Sequence, residues 1–504
     1  MDLLNNLQLG FSTALSLQNL TYALLGCLTG TLIGVLPGLG PVVTIAMLLP
    51  LTYGLEPTTA LIMLASIYYG SQYGGSTTAI LVNLPGESSS AITLIEGHQM
   101  ARAGRAGPAL AAAAIGSFFA GCVGTLLLAA FAAPLAEIAL RFGSPEYFSL
   151  MLLGLIGAVT LSSGPLLKSI GMVVLGLLLG LVGTDVNSGS ARFALGLPNL
   201  LDGFDFACLA MGIFGIGEII ATLERSSGLT ETFVAKVGSL WPTRTDLRRM
   251  VPSMLRGTAV GSLLGILPGA GVTVASSVAY TVEKKVSKYS SEFGRGAIEG
   301  VTGPEAANNA AAQTNFIPLL TLGIPGSAVM ALLVGAMMVH NIQPGPQIIR
   351  NHPDLFWGLI ASMWIGNVML VVLNLPLVGL WVSLLKVPYK YLYPAILAFC
   401  SIGVYSLQGA SFDIYQMAAF GLLGYLLIKL DASAVPLLLG FVMGPMLEEN
   451  FRRSLLLSSG SLRIFVERPF SLVLIVAAVA MLIAVLAPAV RRKRSLIDDD
   501  ALLA

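Results

Sequence analysis

The chain has 504 residues, of which 55% are hydrophobic and only 11% are charged, and its mean hydropathy is +0.84. Soluble domains average about 25% charged residues, so this composition excludes an ordinary soluble protein and indicates an integral membrane protein. The formal net charge of +1 gives no reason to expect a nucleic-acid partner.

The first apolar run is interrupted by Pro37, Gly38, Gly40 and Pro41, where a membrane helix should simply continue. Proline removes a backbone donor, and glycine accepts backbone angles that other residues avoid. In hydrocarbon, such a broken backbone is tolerated only where it is buried in protein or lines a watery cavity. We therefore predict a broken helical segment at about 17–52.

Membrane spans need about 20 apolar residues. The first half continues with five predicted spans, near 57–84, 107–133, 146–162, 166–184 and 205–223. A basic linker at 224–250 then leads to a second broken segment at 251–282, in which Pro268, Gly269 and Gly271 repeat the first interruption. Six further spans are predicted near 304–336, 354–380, 391–407, 413–430, 434–449 and 470–489.

The second half repeats the first in order, because Pro37 corresponds to Pro268 and Leu84-Pro85-Gly86 corresponds to Ile324-Pro325-Gly326. Residues 1 to 101 contain no Lys or Arg, whereas the second broken segment has basic residues on both flanks. The positive-inside rule then places the flanks of the first segment outside and those of the second in the cytoplasm. Each segment is predicted to be a re-entrant hairpin, and the five spans between them invert the second repeat.

These observations predict an all-α polytopic membrane protein with two inverted-topology repeats, each carrying a broken or re-entrant helical hairpin. Repeat 1 covers 1–223, a cytoplasmic linker covers 224–250, and repeat 2 covers 251–449. A final span and a cytoplasmic tail occupy 450–504. Basic residues between 452 and 468 fall outside in this scheme, against the positive-inside rule.

Matched helix breaks in two halves are the best sequence indication of a transporter's binding site. A break exposes backbone N–H groups that attract anions, and its freed carbonyls can hold a small cation. We therefore place the substrate at both tips, with a candidate Na⁺ at backbone carbonyls near Gly38 and Gly269. Close helix packing through glycine and proline is the alternative interpretation of either tip alone.

Polar, glycine-rich stretches follow each tip, at 68–86 and 303–315. In the second stretch, Pro304 is expected at a first helical position with Glu305 beside it, and several amides share one helix face. Interhelical hydrogen bonding is the alternative here, but so many uncharged donors favour an anion site. The candidate substrate-binding residues are Pro37, Gly38, Gly40, Ser76, Thr77, Asn83, Pro268, Gly269, Gly271, Asn308, Asn309 and Thr314.

Enzyme motifs are absent from the sequence: there is no H-E-x-x-H, no G-x-x-x-x-G-K-[ST] and no G-x-S-x-G. The predicted loops are also too short for a nucleotide-binding domain. We therefore expect neither an enzyme nor a resident cofactor, and no direct ATP-driven pumping by this chain.

Three segments together resemble the large membrane subunit of bacterial tripartite tricarboxylate transporters: Gly34-Val35-Leu36-Pro37-Gly38-Leu39-Gly40-Pro41, Gly265-Ile266-Leu267-Pro268-Gly269-Ala270-Gly271 and Pro304-Glu305-Ala306-Ala307-Asn308-Asn309-Ala310. The resemblance runs from about residue 15 to 490. It implies a multi-pass protein of the bacterial inner membrane that works with a small four-helix membrane subunit and a periplasmic solute-binding protein. It also implies that citrate or another carboxylate is imported with Na⁺ or H⁺ as the coupling ion. Inverted repeats that carry two hairpins are also similar to elevator-type carboxylate transporters, and an elevator-like movement is expected only by that analogy of fold.

Two alternatives from other classes remain. The first is a stand-alone carboxylate carrier or channel that needs no binding protein. The second is an intramembrane enzyme or lipid-handling protein, against which the lack of a catalytic dyad or metal constellation at membrane depth counts.

Overall fold

The computed structural model of the chain describes residues 3–36, 40–162, 164–185, 187–226, 235, 237–267, 269, 271–384 and 389–502, and these are overwhelmingly helical. The helices of the first half are α1 Leu3–Ala14, α2 Leu17–Val35, α3 Pro41–Leu48, α4 Pro57–Val82, α5 Ala91–Arg102, α6 Ala106–Ala139, α7 Ser144–Leu161, α8 Leu166–Gly180, α9 Phe206–Ala210 and α10 Gly217–Ser226. A π-helical stretch, Met211–Ile216, joins α9 to α10. Within the described ranges, β-structure is confined to β1 Gly183–Thr184 and β2 Ala191–Arg192, which pair antiparallel.

The second half carries the remaining helices, which follow one another in a similar order. They are α11 Arg244–Ile266, α12 Gly271–Val286, α13 Glu299–Thr314, α14 Phe316–Leu322, α15 Ala328–Val339, α16 Ile348–Asn351, α17 Pro353–Asn374, α18 Val378–Leu384, α19 Tyr389–Gln408, α20 Ser411–Lys429, α21 Ala434–Leu457, α22 Ile464–Glu467 and α23 Pro469–Leu502. Short 3₁₀ segments lie at Leu49–Thr52, Pro198–Leu200 and Ser290–Glu292.

Five stretches in the described part of the chain are long and apolar enough to cross a membrane: Ala106–Ala139, Ser144–Leu161, Phe206–Glu224, Pro353–Asn374 and Ser411–Lys429. Together with the near absence of sheet, these confirm the prediction of an all-α polytopic membrane protein.

The first broken segment folds back on itself. Helix α2 packs along α4 in the same direction, since Gly26, Gly30 and Gly34 meet successive turns of α4 from Met63 to Ser71. Both helices therefore begin at the same end, and α3 with its 3₁₀ extension must bring the chain back to that end. Small residues allow this close approach, because a Cβ on Gly30 would lie 2.3 Å from the Ile67 carbonyl oxygen.

The second broken segment repeats this arrangement. Gly257, Gly261 and Gly265 of α11 meet Gly303, Ala307 and Ala311 of α13, again in parallel register. Helix α12 therefore returns the chain to the end at which α11 began. The contacting glycines recur at the same interval along α2 and along α11, as expected if one hairpin is a duplicate of the other.

Helices α4 and α13 run in opposite directions. Helix α6 lies parallel to α13, because Gly116 faces Thr302 and Gly124 faces Gln313. Helix α17 lies parallel to α4 in the same way, since Gly358 is near Thr58 and Gly366 is near Tyr69.

The contacts between α6 and α17 show that these two helices are antiparallel. Gly121 of α6 meets Asn367, while Asn374, seven residues later in α17, lies with the earlier α6 residue Leu110. Since α6 and α17 are antiparallel, so are the helices that each accompanies.

The late helices of each half pack against helices of the other half. Helix α8 of the first half packs against α21 of the second, with Gly176 against the Leu437 carbonyl. Correspondingly, α20 of the second half packs against the π-helical stretch of the first, with Gly212 against the Met417 carbonyl. Glycine is again what lets these helices approach closely.

One predicted span is wrong in detail. The stretch predicted as a single span at 304–336 consists of α13, α14 and α15, because Gly323 adopts a left-handed conformation (φ 74°) and ends α14. Ser327 then begins α15 by accepting a hydrogen bond from the backbone N–H of Met330. Pro304 is not at a first helical position either, since α13 begins at Glu299 and Pro304 lies inside it.

Four helices were not predicted: the one-turn helices α16 and α22 and the longer helices α1 and α5. Helix α1 packs against α17, where Gly10 touches the Trp357 backbone and Phe11 stacks on Trp364. Helix α5 lies between α4 and α6 and places His98 against the Ile80 carbonyl. The helices α10, α11 and α21 also extend across the predicted limits of the linker and of repeat 2.

Candidate functional site

Helices α4 and α13 form the buried centre of the molecule. Every residue of α13 is buried, as is all of α4 from Thr59 to Val82. Both helices nevertheless carry many polar side chains, among them Gln72, Ser76 and Asn309. Polar groups inside a membrane protein are expensive unless they are hydrogen-bonded, and they commonly mark ligand pathways.

A polar network surrounds Glu305 on α13. Thr93 of α5 donates to Glu305 Oε1, and Ser117 of α6 donates to Oε2 at 3.3 Å. Asn309, one turn further along α13, donates from Nδ2 to Ser117 Oγ at 2.7 Å. The Ser76 side chain of α4 also interacts with the Glu305 carboxyl. Four helices are thereby joined through one buried acid.

A second network lies one turn away, around Glu87 in the 83–90 connection between α4 and α5. Ser89 donates to Glu87 Oε1, and Asn308 Nδ2 donates to the same oxygen at 3.3 Å. Ser89 also lies 3.3 Å from Gln72 Oε1. Because Asn308 and Asn309 are adjacent on α13, the two networks occupy neighbouring positions.

The tip of the second hairpin borders the Glu87 network. Gly269 donates its backbone N–H to the Gly326 carbonyl at 2.9 Å, so the tip sits on the break between α14 and α15. Thr273, in the first turn of α12, lies 3.0 Å from Ser88 through the two hydroxyl oxygens. A hairpin of the second half thus contacts a helix break of the first half beside two buried glutamates.

A cleft of about 290 Å³ opens next to the Glu305 network. It is lined by Tyr73, Ser76, Thr77, Leu110, Ala113, Ala114, Ser117, Asn374 and Leu375. Small-molecule sites are typically about 300–1,000 Å³ and combine apolar walls with a few polar groups. The cleft has that mixture of apolar walls and polar groups, but its volume includes space open to solvent and lies below that range.

Several buried side chains around the cleft have no hydrogen-bond partner among the described residues. The Tyr73 hydroxyl and Gln72 Nε2 are donors of this kind, and the Asn308 and Asn374 amide oxygens are acceptors. Most buried polar groups in proteins are paired, so this concentration at the α4–α13–α17 junction indicates a place where a polar ligand or water is bound.

Four of the predicted substrate-binding residues come together here. Ser76 and Thr77 line the cleft, while Asn308 and Asn309 belong to the two carboxyl networks. Pro37, Gly38 and Pro268 lie outside the described residues, so the tip of the first hairpin is represented only by Gly40.

The three described tip glycines differ in their surroundings. Gly40 precedes α3 in an extended conformation, and a Cβ there would meet nothing within 4 Å. Gly271 has open space too but a positive φ of 59°. Gly269 has φ 84°, and its Cβ would lie 2.4 Å from the Gly157 backbone. Gly269 is therefore explained by packing and conformation, which was the alternative interpretation of the tips.

Asn83 and Thr314 have structural explanations. Asn83 is exposed and ends α4 in a left-handed conformation (φ 62°), which asparagine tolerates better than most residues. Its counterpart in the second half is Gly323, which ends α14 in the same way. Thr314 donates to the Ala310 carbonyl and packs against Gly265 of the second hairpin.

The sequence reasoning missed Glu87, Thr93 and Ser117, and interpreted Glu305 only as a helix-start residue. Ser117 carried no signal of its own, because it stands alone in an alanine-rich span. Glu87 did carry one, since it directly follows Leu84-Pro85-Gly86 at a helix break, and an ionisable residue at membrane depth is a functional candidate.

A larger cleft of about 520 Å³ lies at one end of the molecule, near β1 and β2. Its charged residues pair with one another: Arg192 contacts both Asp185 and Glu448. Because the acids are satisfied by an arginine and leave no free positive charge, this cleft is less suited to an anion. In the described part of the chain, no group of three or more His, Cys, Asp or Glu side chains is arranged to hold a metal ion.

Comparison with known proteins identifies one relative that spans almost the whole chain and another that matches about half of it. A protein from Agrobacterium vitis described as "Uncharacterized 52.8 kDa protein in TAR-I ttuC' 3'region" is 55% identical over 502 residues, which is 99% of this chain and 100% of the relative. Another from the same organism, "Uncharacterized protein in TAR-II ttuC' 3'region", is 55% identical over 242 residues, 48% of this chain and 100% of the relative. The family model "Tripartite tricarboxylate transporter TctA family" matches residues 20–439. The chain therefore belongs to the tripartite tricarboxylate transporter TctA family.

Proposed function

We propose that this protein is the large membrane subunit of a binding-protein-dependent secondary transporter in a bacterial inner membrane, importing tricarboxylates or related carboxylates with Na⁺ or H⁺. Its partners are a small four-helix membrane subunit and a periplasmic solute-binding protein. Membership of the family supports the transport role, and the buried site at the α4–α13 junction supports a polar solute.

The observation that carries the proposal is a pair of unpartnered buried donors on α4, of which Tyr73 lines the cleft. A carboxylate only accepts hydrogen bonds, and the Tyr73 hydroxyl and Gln72 Nε2 are buried donors without partners among the described residues. Ser76 and Thr77 lie in the same wall, where their hydroxyls donate to the Gln72 and Tyr73 carbonyls at 3.0 and 3.2 Å. Hydrogen bonds to a charged group are worth about 1.5–3 kcal/mol each, so a few uncharged donors suffice without a buried arginine.

We further propose that the two repeats are inverted in the membrane. The antiparallel directions of α4 and α13 support this, and so do the contacts between chain segments that the topology assigns to one side. Arg105 pairs with Asp246 at 2.6 Å on the proposed cytoplasmic side, and Arg452 pairs with Asp185 at 3.2 Å on the proposed periplasmic side.

Three of the four arginines between 452 and 468 that conflicted with the positive-inside rule are paired with acids. Arg452 also contacts Glu448, Arg453 contacts Glu449, and Arg468 contacts Glu146. The positive-inside rule counts Lys and Arg rather than net charge, so these arginines are an exception to the rule in the inverted topology.

Energetics favour an ion gradient as the driving force. Moving one charge across the membrane involves about 2.3 kcal/mol per 100 mV, so a trianion entering a negative interior needs more than three monovalent cations for net inward charge. The sequence contains no phosphate-cradling loop through which ATP could supply this energy.

Uptake by inside-negative vesicles containing both membrane subunits tests the proposal. With the periplasmic protein present, radiolabelled citrate or a related carboxylate should enter only while a Na⁺ or proton gradient is maintained. Uptake that survives collapse of both gradients but requires ATP would contradict the secondary mechanism. Equal uptake without the periplasmic protein would instead favour a stand-alone carrier.

A further inference from the structure

The buried glutamates fall into two groups. Six glutamates are buried among the described residues: Glu87, Glu96, Glu146, Glu283, Glu299 and Glu305. Four of them have strong partners. Arginines contact Glu146, Glu283 and Glu299, and Glu96 accepts hydrogen bonds from the backbone N–H groups of Gly294, Gly296 and Ala297.

Glu87 and Glu305 differ from these four. In the described part of the chain, neither contacts a lysine or an arginine, and their partners are hydroxyls and the Asn308 amide. Their side chains are 7% and 1% exposed, respectively. An isolated buried carboxylate is far more costly than one paired with a cation, so each of these two acids needs either a bound proton or a cation.

Asn308 supplies an independent observation. It lies one turn after Glu305 on α13 and donates from Nδ2 to Glu87 Oε1, so it joins Glu87 to the helix that carries Glu305. The other end of the same amide, Oδ1, has no partner although Asn308 is only 1% exposed. The free amide oxygen is a hydrogen-bond acceptor, so its partner must be a cation or a hydrogen-bond donor.

We propose that Glu87, Glu305 and Asn308 form a binding site for Na⁺. Hard cations prefer oxygen ligands such as carboxylates, amide carbonyls and hydroxyls, and this cluster offers all three kinds, with Ser89, Thr93 and Ser117 supplying the hydroxyls. The site is distinct from the backbone carbonyls near Gly38 and Gly269 expected from the sequence, because its ligands are side chains of α13, α5, α6 and the 83–90 connection.

The location explains how ion and solute would be coupled, a consequence that rests on the proposed function. Ser117 belongs both to the Glu305 network and to the wall of the cleft. Without a cation, two buried negative charges repel a carboxylate in that cleft. With Na⁺ bound, the repulsion is reduced, so Na⁺ should increase the affinity for the anion and the anion should increase the affinity for Na⁺ by the same factor.

Thermal unfolding of the purified full chain, without any carboxylate, tests the Na⁺ site directly. NaCl replaces choline chloride at constant ionic strength and pH, and the wild-type melting temperature should rise saturably with Na⁺. Glu305→Gln and Asn308→Ala should each weaken the apparent Na⁺ affinity at least tenfold. Glu449→Gln, which removes an exposed carboxylate paired with Arg453, should leave it unchanged.

Three outcomes would overturn the proposal. The first is the absence of a saturable Na⁺ effect in the wild type, and the second is a Na⁺ effect that persists unchanged in the variants. The third is stabilisation by lower pH alone, which would indicate that the site binds a proton. If Glu305→Gln fails to fold, Asn308→Ala decides, since it leaves both carboxylates in place. The assay contains no solute, so failure of carboxylate uptake would count against the proposed function and leave the Na⁺ site standing.

Discussion

Tyr73 is the residue through which the cleft can be tested most cleanly. Tyr73 lines the cleft and its hydroxyl has no partner among the described residues, so Tyr73→Phe removes a free donor without breaking a hydrogen bond of the fold. Stability should be unchanged, because no protein contact is lost. Carboxylate affinity should fall about ten- to hundredfold, since a hydrogen bond to a charged group is worth about 1.5–3 kcal/mol.

Substrate-induced thermal stabilisation of the purified protein measures this loss. Tyr53→Phe is the matched control, because Tyr53 is 57% exposed and does not line the cleft. Equal affinity in wild type and Tyr73→Phe would remove Tyr73 from the binding site and weaken the assignment of the cleft.

Alanine substitutions at the tip glycines Gly269 and Gly40 should have different effects on stability. Gly269→Ala should destabilise the protein by about 1–3 kcal/mol, because its Cβ would lie 2.4 Å from the Gly157 backbone and its φ is positive. Lost transport in that variant would therefore not locate the substrate. Gly40→Ala meets open space and should fold normally.

The two glycine variants are compared by melting temperature and by carboxylate uptake per folded molecule. If the first tip approaches the anion, Gly40→Ala should reduce uptake while its melting temperature is preserved. Normal uptake in Gly40→Ala would argue that the substrate does not contact this end of the tip. A wild-type melting temperature in Gly269→Ala would contradict the packing explanation.

At the scale of elements, the parallel packing of each hairpin on its neighbouring helix depends on glycine. A Cβ at Gly261 would lie 2.2 Å from the Ala307 carbonyl oxygen, and one at Gly30 would lie 2.3 Å from that of Ile67. Alanine at either position should destabilise by about 1–3 kcal/mol, and to a similar extent because the contacts correspond. Thermal melting of both variants checks this.

Gly171 in α8 provides the helical control, since nothing lies within 4 Å of its Cβ position. Gly171→Ala should be neutral or stabilise by up to about 1 kcal/mol, because alanine has the higher helix propensity. If Gly261→Ala melted like Gly171→Ala, the α11–α13 interface would have to be looser than the structure shows.

The sequence predicted elements better than it predicted contacts. Apolar runs and the Leu-Pro-Gly breaks were sufficient to place both hairpins and most spans, since each is a local property of the chain. The division of 304–336 at Gly323 was missed because apolar residues continue through the break. Helix α1 was missed because it is too short for a span and is held by Trp357 and Trp364 of a distant helix.

The same limit applies to the site. Ser76, Thr77, Asn308 and Asn309 could be selected from their polarity within apolar surroundings. That Ser117 connects Asn309 to Glu305 could not be foreseen, because the hydrogen bond joins α6 and α13 across 192 residues. A buried acid is indistinguishable from a helix-start acid until its surroundings are known, and this is why Glu305 was misjudged.

At the scale of the whole molecule, contacts between distant segments sort the helix ends into two faces. One face joins Arg105 to Asp246, and Gly107 to the backbone at Ser239. The opposite face joins Asp185 to Arg452. These contacts fix which ends lie together, and only the distribution of Lys and Arg assigns a face to the cytoplasm.

Cysteine labelling in intact cells tests that assignment. In a chain with Cys27, Cys122, Cys208 and Cys400 replaced by alanine, Ser239→Cys should be protected from an impermeant thiol reagent and Asn187→Cys should react. Both positions are exposed, so the difference reports sidedness, and permeabilised cells should label both. Reaction of Ser239→Cys in intact cells with protection of Asn187→Cys would reverse the orientation. Reaction at both positions would contradict the pairing of faces itself, because Asn187 follows Asp185 while Ser239 packs on Gly107 at the opposite end.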